Sequence, residues 1–460
     1  MPWLGDVPEH WDVKRLKARV RNIIEQTKNR DDKDIYVALE HVESWTGCLR
    51  ASGSDVTFDS QVKRFRADDV LFGKLRPYLA KVTRPTQDGV CVGEFLVLRP
   101  DGLGLHASYL EQLLRSKPII DAINTSTFGA KMPRADWQFV GSLRVTLPTL
   151  PEQSAIARFL DHMDRRIGRA IRAKQKLIAL LNEQKQAIIH QAVTRGLDPN
   201  VRLKPSGVAW LGDVPEHWGV LKLRQCVFIL GGITPSMEVH RFWDGAIPWV
   251  TPKDMKRAAI SDSTVRVTEA ALQETSLRLI EPPAVLMVVR GMILARRVPI
   301  AWTTAPVTIN QDMKALRPLE GIDAEFLARS LDSAQEAFKP LIDVAGHGTR
   351  RLPTERWRNL TLAMPPEDEQ VTIIQFLDEA TRTIVDAIER AQREISLLRE
   401  YRTRLIADVV TGKLDVRAAA AGLPEETEES EPLDEVDALE DGGDEAAEAD
   451  LDAALEEVTA

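Results

Sequence analysis

Trp3-Leu4-Gly5-Asp6-Val7-Pro8-Glu9-His10-Trp11 returns without a change as Trp210-Leu211-Gly212-Asp213-Val214-Pro215-Glu216-His217-Trp218, 207 residues further along the chain. Nine identical residues in a row are not coincidence, and an internal repeat constrains the fold before any single residue does. A second set recurs at an offset of 217. Glu152-Gln153 matches Glu369-Gln370, Phe159-Leu160-Asp161 matches Phe376-Leu377-Asp378, Leu180-Leu181 matches Leu397-Leu398, Val193-Thr194 matches Val410-Thr411, and Leu197-Asp198 matches Leu414-Asp415. The chain is a duplicated half, with the second copy ten residues longer between the paired motifs.

Outward from these motifs, each half reads as a globular segment followed by one long helix. Ile156, Leu160, Met163, Ile167, Ala170, Leu177, Leu181 and Ile188 follow alternating three- and four-residue steps, with Lys174 and Gln184 in the seam. The second copy offers Ile373, Leu377, Ala380, Ile384, Ala387, Ala391, Leu398, Leu405 and Val409. A stripe this narrow, flanked by charges, is a coiled-coil seam. Pro151 and Pro366 stand where proline suits a helix start, Gly196 and Gly412 where glycine suits a stop. A lone helix would leave its stripe wet, so the two are expected to pair, antiparallel, each about 65 Å long at ~1.5 Å per residue. The globular parts carry short β-branched runs punctuated by Pro and Gly, such as Val70-Leu71-Phe72, Phe95-Leu96-Val97-Leu98 and Val285-Leu286-Met287-Val288-Val289. Weaker matches inside them (Val70-Leu71 with Val285-Leu286, Leu98-Arg99-Pro100 with Leu316-Arg317-Pro318) indicate one fold with two different surfaces.

The expected class is therefore α/β (α+β), two α/β domains separated by two long antiparallel coiled-coil helices in a pseudo-two-fold repeat. The expected boundaries are 1–150, a helix over 151–198, 199–366, a second helix over 367–416, and a tail over 417–460.

The net charge of −9 conceals an asymmetry. The tail has no Lys or Arg after Arg417 and holds 17 of the 69 acidic residues, leaving 52 against 60 basic ones in the body, a surplus of eight positive charges. A basic body suits a polyanionic partner. The tail's composition is that of a disordered segment, serving as a solubilising appendage or as a DNA-mimicking, autoinhibitory one. Cys48, Cys91 and Cys226 stand far apart without metal-ligand or redox spacing, which reads as three buried or half-buried thiols in a reducing cytoplasm. No apolar run reaches the length of a membrane span, and the opening residues do not form a signal peptide.

The combination resembles the DNA-specificity subunits of type I restriction–modification enzymes. The likeness is carried by Ser206-Gly207-Val208-Ala209 leading into Trp210–Trp218 and its N-terminal copy, by Leu147–Ala157 at the entry to the first helix, by Asp69–Pro77, by Ile247-Pro248-Trp249-Val250 and by Asn310-Gln311-Asp312. It covers about residues 1–416 and leaves out the acidic tail. The resemblance implies two target-recognition domains, each reading half of a bipartite, asymmetric site in double-stranded DNA, and helices that set the gap and dock two methyltransferase subunits. Motor–nuclease subunits would complete the complex. S-adenosylmethionine, ATP and Mg2+ would belong to those partners, with no cofactor and no catalytic site in this chain.

The residues agree with a non-catalytic role. There is no Walker A loop, no glycine-rich dinucleotide fingerprint and no Asn-Pro-Pro-aromatic run. A dispersed carboxylate–lysine nuclease site would leave no such signature. His10 and His217 read as packing partners of Trp11 and Trp218 rather than as chemistry. Two rivals remain: a coiled-coil adaptor with two protein-binding heads, and the recognition arm of a methylation-only or phage-defence complex.

For DNA, affinity comes from Lys and Arg on phosphates and specificity from side chains at base edges. The candidates in the first half are Lys74, Arg76, Lys81, Arg84 and the loop 125–134 with Thr127, Lys131 and Arg134. In the second half they are Thr234, Lys253, Arg290, Arg296, Arg297 and the loop 346–351 with His347, Thr349, Arg350 and Arg351. The two loops occupy equivalent places, each some 20 residues before its helix.

Overall fold

The structure, a computed structural model, describes residues 7–28, 31, 33–50, 61–127, 132–344 and 349–424. It divides into two compact units, whose described residues lie within 1–176 with 391–437 and within 177–390. Two long helices, Leu150–Arg195 and Glu367–Val410, each contribute one half to either unit. No helix among the described residues is long and apolar enough to cross a membrane.

In the first unit the β-branched runs become strands as expected. Val20–Ile23, Phe95–Pro100, Val70–Gly73 and Val82–Thr83 lie side by side in an antiparallel sheet. A second four-stranded sheet sets Gln26–Thr27, Val62–Phe65, Gly89–Cys91 and Ile35–Val37 in that order, the last pair parallel. Asp12–Arg15 pairs with Arg144–Leu147 immediately before the first long helix. Helices Ala107–Arg115 and Lys117–Asn124 cover the first sheet, and Tyr109, Leu110, Leu113, Ile119 and Ile120 fill the core beneath them. Leu405, Ile406, Val409 and Val410 from the end of the second long helix join that same core beside Ile156 and Leu160. Further along, Lys174 Nζ pairs with Glu394. Residue numbers rise along one helix as they fall along its neighbour, so the two segments run antiparallel within this unit.

The second unit repeats the plan. Val227–Gly231, Met313–Pro318, Val285–Val288 and Ile300–Thr303 form the counterpart sheet, extended by Ala259–Ile260. Gly219–Lys222 pairs with Thr361–Met364 before the second long helix. Helix Ala324–Ser333 is capped by Asp323, whose carboxylate accepts from the amides of Glu325 and Phe326. Ile189, Ala192 and Val193 close the core against Ile373 and Leu377.

The repeated motifs are the joints between sheet and helix. Gln153 Nε2 donates to the carbonyls of Gly104 (3.0 Å) and Pro148 (2.9 Å), while the amide of His106 donates to its Oε1 (2.8 Å). Gln370 makes the same three bonds, to Gly321 (3.0 Å), Pro365 (2.9 Å) and from Asp323 (2.8 Å). Buried backbone groups are costly when unpaired, and one amide here satisfies three of them. His10 Nε2 lies 2.7 Å from Glu152 Oε1 and His217 Nε2 lies 2.8 Å from Glu369 Oε2. Each imidazole also stands edge-on to its neighbouring Trp at 6.4 Å. The packing role holds, with a hydrogen bond to a helix-start carboxylate that the sequence did not announce. Gly412, at φ +80°, ends the second helix against Pro8 and Trp11, and a Cβ there would lie 2.4 Å from Pro8 Cδ. Gly196, at φ +73°, sits likewise beside Trp218 and Pro215.

Three expectations shift. In the first helix the buried stripe passes through Ile171 and Ile178, leaving Leu177 exposed at 47% and Gln184 on the surface. Choosing Ala170 over Ile171 displaced the reading by one residue, and the larger side chain wins the seam because it buries more apolar surface. The second helix adds Thr381 and Ile395 to its seam. Cys91 and Cys226 are buried as expected, but Cys48 is exposed.

Candidate nucleic-acid interface

In each unit the central sheet strand runs out into a crossing of three segments. In the first, the amide of Lys74 donates to Glu94 O (2.8 Å), Ala135 donates to Lys74 O (2.9 Å) and Arg76 donates to Pro133 O (2.9 Å). These bonds lace together the end of Val70–Gly73, the approach to Phe95–Pro100 and the loop before the long helix. In the second unit Val289 donates to Asp312 O (2.8 Å), Leu352 to Val289 O (2.8 Å) and Gly291 to Arg350 O (3.0 Å). The crossing is the same, bond for bond, with Leu75 bridging Arg134 where Arg290 bridges Arg351. The third segment is the pre-helix loop named from sequence in both halves.

The crossing gathers some of the candidates and not others. In the first unit it holds Lys74, Arg76 and Arg134. Arg134 is exposed and reaches Glu94 through Nε and Nη2, both at 3.3 Å. Arg76 sits in the left-handed region at φ +50°. Lys81 turns its ammonium to Leu39 O (3.2 Å). Arg84 is spanned by Asp68 (2.6 Å) and Glu111 (3.4 Å), so its charge is committed inside the fold. Burial pushes Glu111 up to about 7 in spite of Arg115 and Arg84 beside it. Thr127 closes the helix end by donating to Asn124 O (2.8 Å) and lines an open depression of about 510 Å³ with Thr125, Ser126, Asp136, Gln138 and Phe139. Lys131 and His347 lie outside the described residues.

In the second unit the crossing holds Arg290, Arg350 and Arg351, the latter pair on the strand Arg350–Arg351 opposite Asp343–Val344. Among the described residues none of these three guanidiniums meets a carboxylate. Thr349 adjoins them, and Thr234 Oγ1 hydrogen-bonds Gln311 next to Asp312. Arg296 is exposed just beyond, whereas Arg297 is paired with Asp332. Lys253, exposed on the turn Pro252–Asp254, belongs to a different part of the unit.

Sequence reasoning missed Lys63, Glu94 and Gly291. Lys63 donates to Phe95 O (2.7 Å), and burial first, then the Lys74 charge, lowers its pKa. Its signal was the cation pair Lys63-Arg64 inside a strand whose ends, Val62 and Phe65, are buried. Gly291 occupies φ +132°, a conformation that side-chain-bearing residues rarely adopt, and its amide donates to Arg350 O. A cluster of cations on one laced loop system, with backbone approach eased by glycine, can bind phosphates and hold Arg or Thr side chains at base edges.

Residues 215–397 match the family model described as "Type I restriction modification DNA specificity domain". Over those residues the chain is similar to the specificity subunits of type I restriction–modification systems. The EcoR124I/EcoR124II specificity subunit of Escherichia coli is 29% identical over 252 residues, covering 54% of this chain and 56% of that one. The MjaIX specificity subunit of Methanocaldococcus jannaschii is 28% identical over 205 residues, 42% of this chain and 44% of its own. The chain spans about half the length of the curated relatives it matches first. A solved chain from a type I R-M system, studied for its complex assembly and conformational transition, shares the fold with a TM-score of 0.62 at 17% identity, over 89% of this chain and all of that one.

Proposed function

We propose that this chain is the DNA-specificity subunit of a type I restriction–modification system and reads a bipartite site in duplex DNA, one half through the Lys74–Arg76–Arg134 crossing and the other through the Arg290–Arg350–Arg351 crossing. The carrying observation is that one backbone crossing is built twice with different side chains on it. A shared scaffold with unlike surfaces suits two unlike half-sites. Residues 1–150 and 199–366 act as the recognition domains, and 151–198 and 367–416 as the helices that set the spacing. The exposed faces of those helices dock two methyltransferase subunits, and motor–nuclease subunits join them in the cytoplasm. S-adenosylmethionine, ATP and Mg2+ are held by these partners. Bound DNA would present one adenine in each half to a methyltransferase, which acts on a base turned out of the stack.

Methylation profiling of the host genome, with the gene intact and deleted, tests this directly. Loss of one bipartite adenine-methylation motif is the expected result. An unchanged methylation map, together with DNA binding that does not weaken as salt rises, would favour the protein-binding adaptor instead.

A further inference from the structure

One face of the first long helix carries charge that the repeat does not require. Arg158, His162, Arg165, Arg169, Arg172 and Lys176 follow one another in alternating steps of four and three, so they form a single stripe. Each except Arg172, which directly follows the seam residue Ile171, lies two residues beyond a seam position, about 200° around the helix and away from the apolar side. Arg158, Arg165, Arg169 and Lys176 are exposed, with His162 and Arg172 half-buried. The equivalent positions of the second helix are Gln375, Glu379, Arg382, Asp386, Glu389 and Arg393, three acids against two bases. Whatever task the two helices share, the basic stripe is additional to it.

The other unrepeated feature is the acidic segment 425–460, with 17 carboxylates and no Lys or Arg. The chain is led to it at the stripe's own end. Val416 is buried in the first unit's core, the short helix Arg417–Ala421 follows, and Arg158 Nη2 donates to Leu423 O (2.7 Å) and Pro424 O (3.2 Å). The stripe's first residue therefore holds the backbone from which the acidic segment departs.

We propose that segment 425–460 docks along the stripe Arg158–Lys176 as a tethered polyanion. Reach, charge and departure point agree. The stripe is about 27 Å long at ~1.5 Å per residue, a span that roughly eight extended residues cover. Glu425, Glu426, Glu428, Glu429 and Glu431 fall within the first seven residues of the segment. Tethering supplies an effective concentration on the order of millimolar, so contacts too weak to hold a free peptide suffice. The consequence is that a cationic face of the first long helix is withheld from phosphate backbones.

The test uses the full chain and an endoprotease that cuts after glutamate, following cleavage within 425–460 at low salt. Arg169→Glu/Arg172→Glu/Lys176→Glu is expected to raise the cleavage rate about tenfold, and the neutral Arg169→Gln/Arg172→Gln/Lys176→Gln set by an intermediate factor. Arg290→Glu/Arg350→Glu, on the second unit's crossing, is expected to leave it unchanged. High salt should abolish the difference between wild type and the stripe variants, after correction against the free 425–460 peptide. Equal cleavage of wild type and both stripe variants overturns the proposal. So does loss of protection in the crossing variant alone, which would seat the segment on that face instead. Unchanged thermal unfolding confirms that the substitutions leave the fold intact.

Discussion

Position 115 of the first unit and position 332 of the second occupy the same place on equivalent helices, yet one is Arg and the other Asp. Arg115 is buried, with 3% of its side chain exposed, and donates to Gln112 Oε1 (2.8 Å) and Asp164 Oδ2 (2.6 Å). Asp332 instead meets the exposed Arg297, and the counterpart of Asp164 is Thr381, whose hydroxyl turns back to Leu377 O (2.7 Å). The joints built from Gln153 and Gln370, with the His10–Glu152 and His217–Glu369 pairs beside them, are unchanged between units, while the charges on the helices packed against them, such as Arg115 and Asp164, have been exchanged. Duplication has preserved the backbone connections that set geometry and released the side chains that set electrostatics. The crossings follow the same rule, with Arg134 answered by Glu94 in the first unit and Arg290, Arg350 and Arg351 left without a described carboxylate in the second.

The largest expected effect tests the buried end of this contrast. Arg115→Ala removes one partner of a buried ion pair and should destabilise the first unit by about 3–5 kcal/mol. Asp332→Ala at the matching position breaks a solvent-screened pair and should cost under about 1 kcal/mol. Denaturant unfolding of the two variants measures both. Equal losses would mean that the exchange of charge is superficial.

The next effect is on DNA. Arg290→Ala/Arg350→Ala should weaken binding about tenfold at moderate salt and make the salt slope shallower by about one for each phosphate no longer neutralised. Lys74→Ala/Arg134→Ala should do less, on the order of threefold, because Arg134 must first leave Glu94. Binding titrations at several salt concentrations rank the two crossings, and the reverse order would refute the assignment of the freer cations to the second unit.

Much of this was legible in the sequence because repeats and periodicity report on backbone geometry. The nine-residue motif and the Glu-Gln pairs located both joints, and seam spacing located the starts of both helices, which end at Arg195 and Val410 rather than at the expected 198 and 416. The side-chain partners were not legible. Nothing in the order of residues says that Arg84 ends between Asp68 and Glu111 or that Arg297 ends on Asp332, since those pairings depend on loops and helices brought together from 16 to 35 positions apart. For the same reason the candidate cations could be named but not sorted into committed and available ones.

A smaller effect concerns pH, and it belongs to the first unit. Burial works to raise Glu152, but hydrogen bonds from His10 and from the Thr149 hydroxyl and amide outweigh it and hold the carboxyl at about 2, below its ordinary 4.5. Its stabilisation is present above pH 4.5 and fades as the pH falls toward 2. Glu111 has the opposite sign. With its carboxyl raised to about 7, the folded state keeps a proton that the unfolded chain releases above 4.5, so stability declines as pH climbs from 4.5 through 7. Thermal unfolding across pH should show both limbs. Glu152→Gln is expected to flatten the acidic one and Glu111→Gln the other; a variant that leaves its own limb in place would show the wrong carboxylate was chosen.

The smallest effect compares the two turns at the crossings. Arg76 and Gly291 occupy matching positions, each donating its amide to the pre-helix loop, at φ +50° and +132°. A non-glycine residue in the left-handed region is strained by about 1–2 kcal/mol, whereas glycine adopts it freely but loses about 0.5–1 kcal/mol more backbone entropy on folding. Arg76→Gly should therefore change stability by less than about 1 kcal/mol, in the stabilising direction. It should also weaken DNA binding, because the cation is removed while the amide bond to Pro133 stays. Stability and affinity moving in opposite directions would place Arg76 at that turn for its charge rather than for the fold. If both fell together, the side chain would instead be holding the crossing in shape, and the likeness between the two turns would be one of backbone alone.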